Sequence, residues 1–356
     1  MKPGMSLTAW GVLAIAFGAL GLPLACRRAA AQPPMAMHGE AVPRDVREMY
    51  DRGLQYLAGA QHEEGGWGGS YQGAGTTGMA VMALLASGED PNFGVYSNHL
   101  RRALRSIIRQ QDANTGYFGN SMYHHGFATL ALSEAYGAVD DRDLWPEGEA
   151  RDQRSIGAAL ELAVRGALTS QQGNPTSAWR YSPQANDADT SVSGAMLMGL
   201  LAARNAGIEV PDESIDKAIE YFTNMTSENG MVGYSGGFGG GFDESMARIS
   251  IATLVYAISR RKDLPEYEAT LKHLMQNLEK TGGGHYQQYT DYYQAQALFQ
   301  GDIKSWEKWN KLLVRRLKES QLEDGSFTGQ FGGETSTQLN LLALALNYRF
   351  LPIYER

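Results

Sequence analysis

Gln61-His62-Glu63-Glu64-Gly65-Gly66-Trp67 packs a polar helix end, a glycine turn and a large aromatic into seven residues, and the chain repeats the formula. It returns as Gln111-Asp112-Ala113-Asn114-Thr115-Gly116-Tyr117-Phe118, and as Gln171-Gln172-Gly173 running on to Trp179-Arg180-Tyr181. Glu228-Asn229-Gly230-Met231-Val232-Gly233-Tyr234, Gly282-Gly283-Gly284-His285-Tyr286 and Gln321-Leu322-Glu323-Asp324-Gly325-Ser326-Phe327 complete the set. The aromatic marks at 67, 117, 179, 234, 286 and 327 stand 41 to 62 residues apart. A period of this length marks a repeat architecture, in which each unit buries its apolar face only against its neighbours.

Two kinds of helix alternate around these loops. Before a loop the pattern is one-faced: Tyr96, Leu100, Leu104, Ile107 and Ile108 share a stripe, with Arg101, Arg102, Arg105 and Arg109 opposite. Trp306, Trp309, Leu312, Leu313 and Leu317 repeat it near the C-terminus. After a loop the chain is apolar nearly all round, as in 79–85, 127–132, 195–203, 249–257 and 339–346. A helix without a polar face is buried on all sides. One-faced and all-buried helices in alternation predict two concentric rings, and six pairs close the circle. The expected fold is therefore an all-α (α/α)6 toroid of six helix pairs, one domain over 44–352 after a linker at 32–43. Pro43 and Asp212 read as helix starts, and Gly137, Gly207 and Gly301 as stops.

Composition narrows the function classes. Lys+Arg 31 against Asp+Glu 39 leaves a net charge of −8, which argues against a nucleic-acid surface. Glycine, at 42 of 356 residues, is in excess, and much of it sits in the loops. The first 31 residues read as an export signal: Lys2, an apolar run from Leu7 to Ala25, then Arg27-Arg28 and an alanine exit. An uncleaved membrane anchor is the alternative. Cleavage after Ala31 removes Lys2, Arg27, Arg28 and the single cysteine, Cys26, so −8 becomes −11. The expected location is extracytoplasmic.

The loops resemble the QW-type repeats of the terpenoid cyclase and protein prenyltransferase superfamily, whose members are α/α toroids, and the resemblance spans all six units. The glycine-rich run 236–242 followed by 252–257 resembles the glycine loop and inner helix of prenyltransferase β subunits. Asn186-Asp187-Ala188-Asp189-Thr190-Ser191 resembles the D-x-D-D-T-A acid motif of class II cyclases, which makes Asp187 and Asp189 the catalytic candidates. Ala188 stands where that motif places its proton donor. Asp291-Tyr292-Tyr293-Gln294 resembles the prenyltransferase D-x-Y-H, with Gln294 in place of the zinc histidine. With no cysteine left in the mature chain, neither a metal nor another cofactor is expected.

In such a ring every inner helix starts on one rim, around a central cavity. The expected cavity residues are Tyr123, His124, His125, Asp243, Arg248, Asp291, Tyr292, Tyr293 and Glu334. Concave sites with convergent polar groups are where ligands bind, whereas Asp and Thr at helix starts also serve as caps. His124 or His125 with Asp189, Asp291 or Glu334 would form a mixed metal site only if the ring brought them together. The loop aromatics read as structural, tying each loop to the next helix. The expected function is an exported, catalytically degenerate scaffold holding an apolar small molecule, lipid or peptide-like ligand, or a protein partner. The alternatives are an enzyme on isoprenoid or lipid substrates, and a polysaccharide lyase or glycosidase on the same toroid.

Overall fold

The computed structural model describes residues 42–146, 153–236, 244–280 and 286–354. Among the described residues twelve α-helices alternate between an outer and an inner ring. The outer ones are α1 (Arg44–Ala60), α3 (Ser97–Arg109), α5 (Ile156–Gly173), α7 (Asp212–Asn224), α9 (Pro265–Gln276) and α11 (Ile303–Ser320). The inner ones are α2 (Ala74–Leu85), α4 (Met122–Ala135), α6 (Thr190–Asn205), α8 (Met246–Ile258), α10 (Gln287–Gly301) and α12 (Gly332–Leu344). Each inner helix packs on the next, and α12 packs back on α2, so the inner ring closes. The fold is the (α/α)6 toroid that the alternation predicts. The expected starts hold: Pro43 is the N-cap of α1 and Asp212 the first residue of α7.

In four of the six loops a glutamine builds the ring. Gln61 Nε2 donates to Gly65 O in its own loop (2.9 Å) and to His99 O on α3 (3.0 Å). Gln111 does the same with Gly116 O and Ala159 O on α5, and Gln171 with Ser177 O and Ser214 O on α7. Gln321 bonds Gly325 O and then Met49 O on α1, so the sixth unit uses on the first the latch that the first three units use on their successors. The loop glycine completes each joint. A Cβ on Gly65, Gly116, Gly230 or Gly325 would stand 2.1 to 2.4 Å from a carbonyl of the next outer helix, and all four have positive φ. Only glycine meets both demands without strain.

The aromatic marks divide. Trp67 and Trp179 are fully buried and donate their indole N–H to Leu57 O (2.7 Å) and Ala167 O (3.0 Å) of the preceding helix; Phe327 is buried as well. Tyr234 and Tyr286 instead reach the cavity, which corrects the structural role expected of them. Helix α10 is buried from Thr290 to Leu298 although half of that stretch is polar. Two of its polar side chains find partners, Asp291 in Arg316 and Gln296 in Tyr292 O (3.0 Å), whereas both polar atoms of the Gln294 side chain have none among the described residues. Among the described residues no helix is long and apolar enough to cross a membrane. The proposed export segment, Asp243 and His285 lie outside the described residues.

Candidate functional site

The inner helices begin on one rim, and the cavity they surround has a volume of about 1000 Å³. Backbone bonds from the loops to the inner helix N-termini set its walls. Met122 N–H donates to Tyr181 O (2.8 Å) and Thr190 N–H to Tyr234 O (2.9 Å), which places both tyrosines at the rim. Their hydroxyls are hydrogen-bonded to each other at 2.8 Å, and the Arg180 guanidinium lies 5.9 and 5.8 Å from their ring centroids. Across the mouth, Tyr71 and Tyr286 pack against Phe331, with centroids 5.5 and 6.0 Å away. Deeper in the wall Tyr123 packs against Phe127 (5.3 Å) and Tyr289 (6.1 Å). Six tyrosines thus line the cavity.

His124 lines it too, and small residues opposite give it room: a Cβ on Gly75 would lie 2.6 Å from His124 Cα. His124 Nδ1 accepts the Gly75 N–H at 3.2 Å, which puts the neutral ring's proton on Nε2. Burial lowers its pKa, favouring that neutral form. Arg248 lines the wall near the start of α8 and donates from Nε to Val232 O (2.9 Å). Glu244 and Lys280 form a charged lip, where Glu244 accepts from Lys280 Nζ (2.7 Å) and His273 Nε2 (3.0 Å). Those two bonds hold the Glu244 carboxyl below its ordinary range.

The other sequence candidates point elsewhere. His125 turns to α5, where Nε2 donates to Ala163 O (3.0 Å) and the ring packs on Tyr117 and Phe118. Burial drives its pKa down to about 4. Successive side chains on a helix differ by about 100°, so the pair could not both face inward. Asp187 is exposed and pairs with Arg180 (2.6 Å). Asp189 is the buried N-cap of α6, accepting from Val192 N–H at 2.8 Å. Burial pushes its pKa up to about 6, as it does for Asp291. Asp291 faces the outer ring, held by Arg316 (2.7 Å) and Gln287 (2.8 Å). Tyr292 and Tyr293 are buried in the ring interior rather than on the cavity surface. Glu334 holds the first loop to α12, accepting from Gly68 N–H and lying 3.5 Å from His62. The histidine and carboxylates of the envisaged metal site are therefore spread over four separate environments. Among the described residues no group of three His, Cys, Asp or Glu could hold a metal ion.

Sequence reasoning missed Tyr71, Tyr181, Ser191 and Phe331 in this wall. Tyr181 carried a usable signal, since it lies two residues beyond a loop tryptophan and next to an arginine. Tyr71 and Phe331 carried none, because their position depends on how the loop between two rings folds.

Fold and cavity define the protein's class as an α/α toroid with an open central cup. Within that class the chain belongs to a family described as a domain of unknown function (DUF6288), whose model matches residues 47–301. No curated protein matches it in sequence. Similar solved structures include an inactive variant of the α-1,6-mannanase GH76A of Salegentibacter sp. HEL1_6 in complex with α-1,6-mannotriose. The two share 8% identity and a TM-score of 0.61, over 86% of this chain and 99% of that one. A variant of the type II terpene cyclase MstE from Scytonema, in complex with geranylgeranyl dihydroxybenzoate, gives 12%, 0.60, 86% and 98%. An unsaturated glucuronyl hydrolase specific for heparin gives 11%, 0.58, 85% and 96%. At such identities the likeness is one of fold. The toroid is shared by glycosidases and a terpene cyclase alike, with family 76 glycoside hydrolases prominent among the similar structures.

Proposed function

We propose that this protein binds a saccharide chain in the central cavity of its ring, outside the cytoplasm. The six tyrosines of the lining carry the reading. Aromatic faces cover the apolar faces of sugar rings, and phenol hydroxyls answer their alcohols. An isoprenoid would use the ring faces but offer these hydroxyls no hydrogen bond, whereas a saccharide answers both. The mannotriose complex on a similar fold supports the saccharide over the apolar ligand expected first, and the export pattern of residues 1–31 supports the location.

The chemistry in view supports binding rather than cleavage. Glycoside hydrolysis in its common forms needs two carboxylates flanking the bond, one with a raised pKa. Among the described residues the cavity carboxylates are Glu244 and Glu279, and Glu244 is held low by its hydrogen bonds to Lys280 and His273. The carboxylates with raised pKa, Asp189 and Asp291, are turned away. Alkene protonation by an acid motif meets the same obstacle, since the Asp189 carboxylate caps α6.

Titration calorimetry with α-1,6-mannotriose, a heparin disaccharide and geranylgeraniol tests the reading. A saccharide should bind, and Tyr181→Ala and Tyr286→Ala should each weaken it roughly tenfold, about 1.4 kcal/mol. Binding of geranylgeraniol with no heat from either saccharide would overturn it in favour of an isoprenoid ligand.

A further inference from the structure

The charges around the cavity cancel. Among the described residues its lining holds two full cations, Arg248 and Lys280, and two carboxylates, Glu244 and Glu279. Lys280 Nζ donates to Glu244 at 2.7 Å, and Arg248 is engaged by the protein through Val232 O and a further contact. At the rim Arg180 lies 2.6 Å from Asp187 and 3.7 Å from Asp189. The stretches that precede Glu244 and follow Lys280 outside the described residues, 237–243 and 281–285, contain no lysine or arginine.

The histidine of the wall is held neutral by its place in the fold. Gly73, the N-cap of α2, supplies no side-chain cap, and His124 Nδ1 takes that role from α4 by accepting the Gly75 N–H at 3.2 Å. Gly73 and Gly75 make room for the ring, since a Cβ on them would lie 2.6 and 3.1 Å from Nδ1. Protonating Nδ1 would set two N–H groups against each other and put a cation at the positive end of α2. Burial acts in the same direction. His124 therefore presents Nε2–H as an uncharged donor, with no partner among the described residues.

An acidic ligand would shed water here without meeting an uncommitted cation, and would approach a chain of net charge −8. A neutral sugar faces neither cost. Tyr71, Tyr181 and Tyr286 are 43%, 50% and 52% exposed, so a ligand can reach their ring faces and hydroxyls at the mouth.

We infer that the cavity takes a neutral saccharide, built of plain hexoses rather than uronates or sulfated sugars. The inference rests on the saccharide reading and narrows its ligand class.

Calorimetry on the full chain tests it with α-1,6-mannotriose and α-1,4-galactotriose as neutral ligands. Trigalacturonate, which differs from galactotriose by a carboxylate on each ring, a heparin disaccharide and a glucosamine trimer are the charged ones. The tighter neutral ligand should bind at least tenfold more strongly than any charged one, and its Kd should change less than twofold between about 20 and about 300 mM NaCl. Glu279→Lys, which turns an exposed carboxylate of the lip into a cation, should strengthen trigalacturonate binding at least fivefold at the lower salt. A charged ligand that binds as tightly as the neutral ones would overturn the inference and leave saccharide binding standing. So would a Glu279→Lys variant without gain, because shape rather than charge would then exclude the acid. Absence of binding by every saccharide would remove both readings.

Discussion

Asp189 carries two opposed effects in one carboxylate. Oδ1 caps α6, while Oδ2 is buried without a hydrogen bond and lies 3.7 Å from Arg180 Nε. Burial outweighs the cap and the guanidinium, and the pKa rises from 3.8 to about 6. Between those values the folded protein holds a proton that the unfolded chain has released. The Asp189 contribution to stability is therefore full below pH 3.8 and is lost as pH rises through about 6. Asp189→Asn keeps a capping oxygen and removes the charge. It should stabilise the protein by about 1–3 kcal/mol at pH 7.5, with the gain fading toward pH 4. Urea denaturation at both pH values measures this; destabilisation at pH 7.5 would mean that the Arg180 pair outweighs desolvation. His125 works with the opposite sign. Its pKa falls from 6.5 to about 4, so its contribution is present above 6.5 and is lost as pH falls toward 4. In the Asp189→Asn variant this rise of stability with pH should stand out more clearly.

At the scale of the element, the joint that follows the first, second and sixth loops depends on one glutamine and one glycine. Gly116 has φ +76°, and its Cβ would sit 2.1 Å from Leu162 O. Gly116→Ala should cost about 2 kcal/mol or more, since strain and collision add. Gly59, inside α1 with nothing within 4 Å of its Cβ, is the control: Gly59→Ala should stabilise by about 0.5–1 kcal/mol. Equal effects of the two in thermal melts would mean that helix propensity, not the joint, governs the response. Gln111→Ala removes both side-chain bonds of this latch, to Gly116 O and Ala159 O, and should cost about 1–3 kcal/mol. These joints were legible in the sequence because they are local: a glutamine and a glycine a few residues apart recur from loop to loop. The contact carbonyl on the next helix was not legible, because a backbone oxygen leaves no mark in the residue pattern.

A closed ring is one cooperative unit, unlike an open solenoid whose end repeats can be shed. Here α12 packs on α2, and Gln321 and Arg52 bond across the seam between the sixth and first units. Deleting residues from 303 onward should therefore yield a chain that fails to fold, judged by circular dichroism and limited proteolysis. A truncated chain with a sharp melting transition would show that five units suffice.

The sequence by itself determined the period, the alternation of one-faced and all-buried helices, and hence the closed double ring with its rim of loops. Those properties follow from spacing along the chain, which folding does not alter. Tertiary structure alone decided which inner-helix side chains face the cavity. A helix buried on every side has no amphipathic stripe to distinguish the axis of the ring from the outer helices. His124 and His125, or Thr290 and Asp291, are thus indistinguishable by pattern although about 100° apart in space. Only the packing of α4 against α5 and of α10 against α11 turns His124 and Thr290 to the cavity and their neighbours to the core.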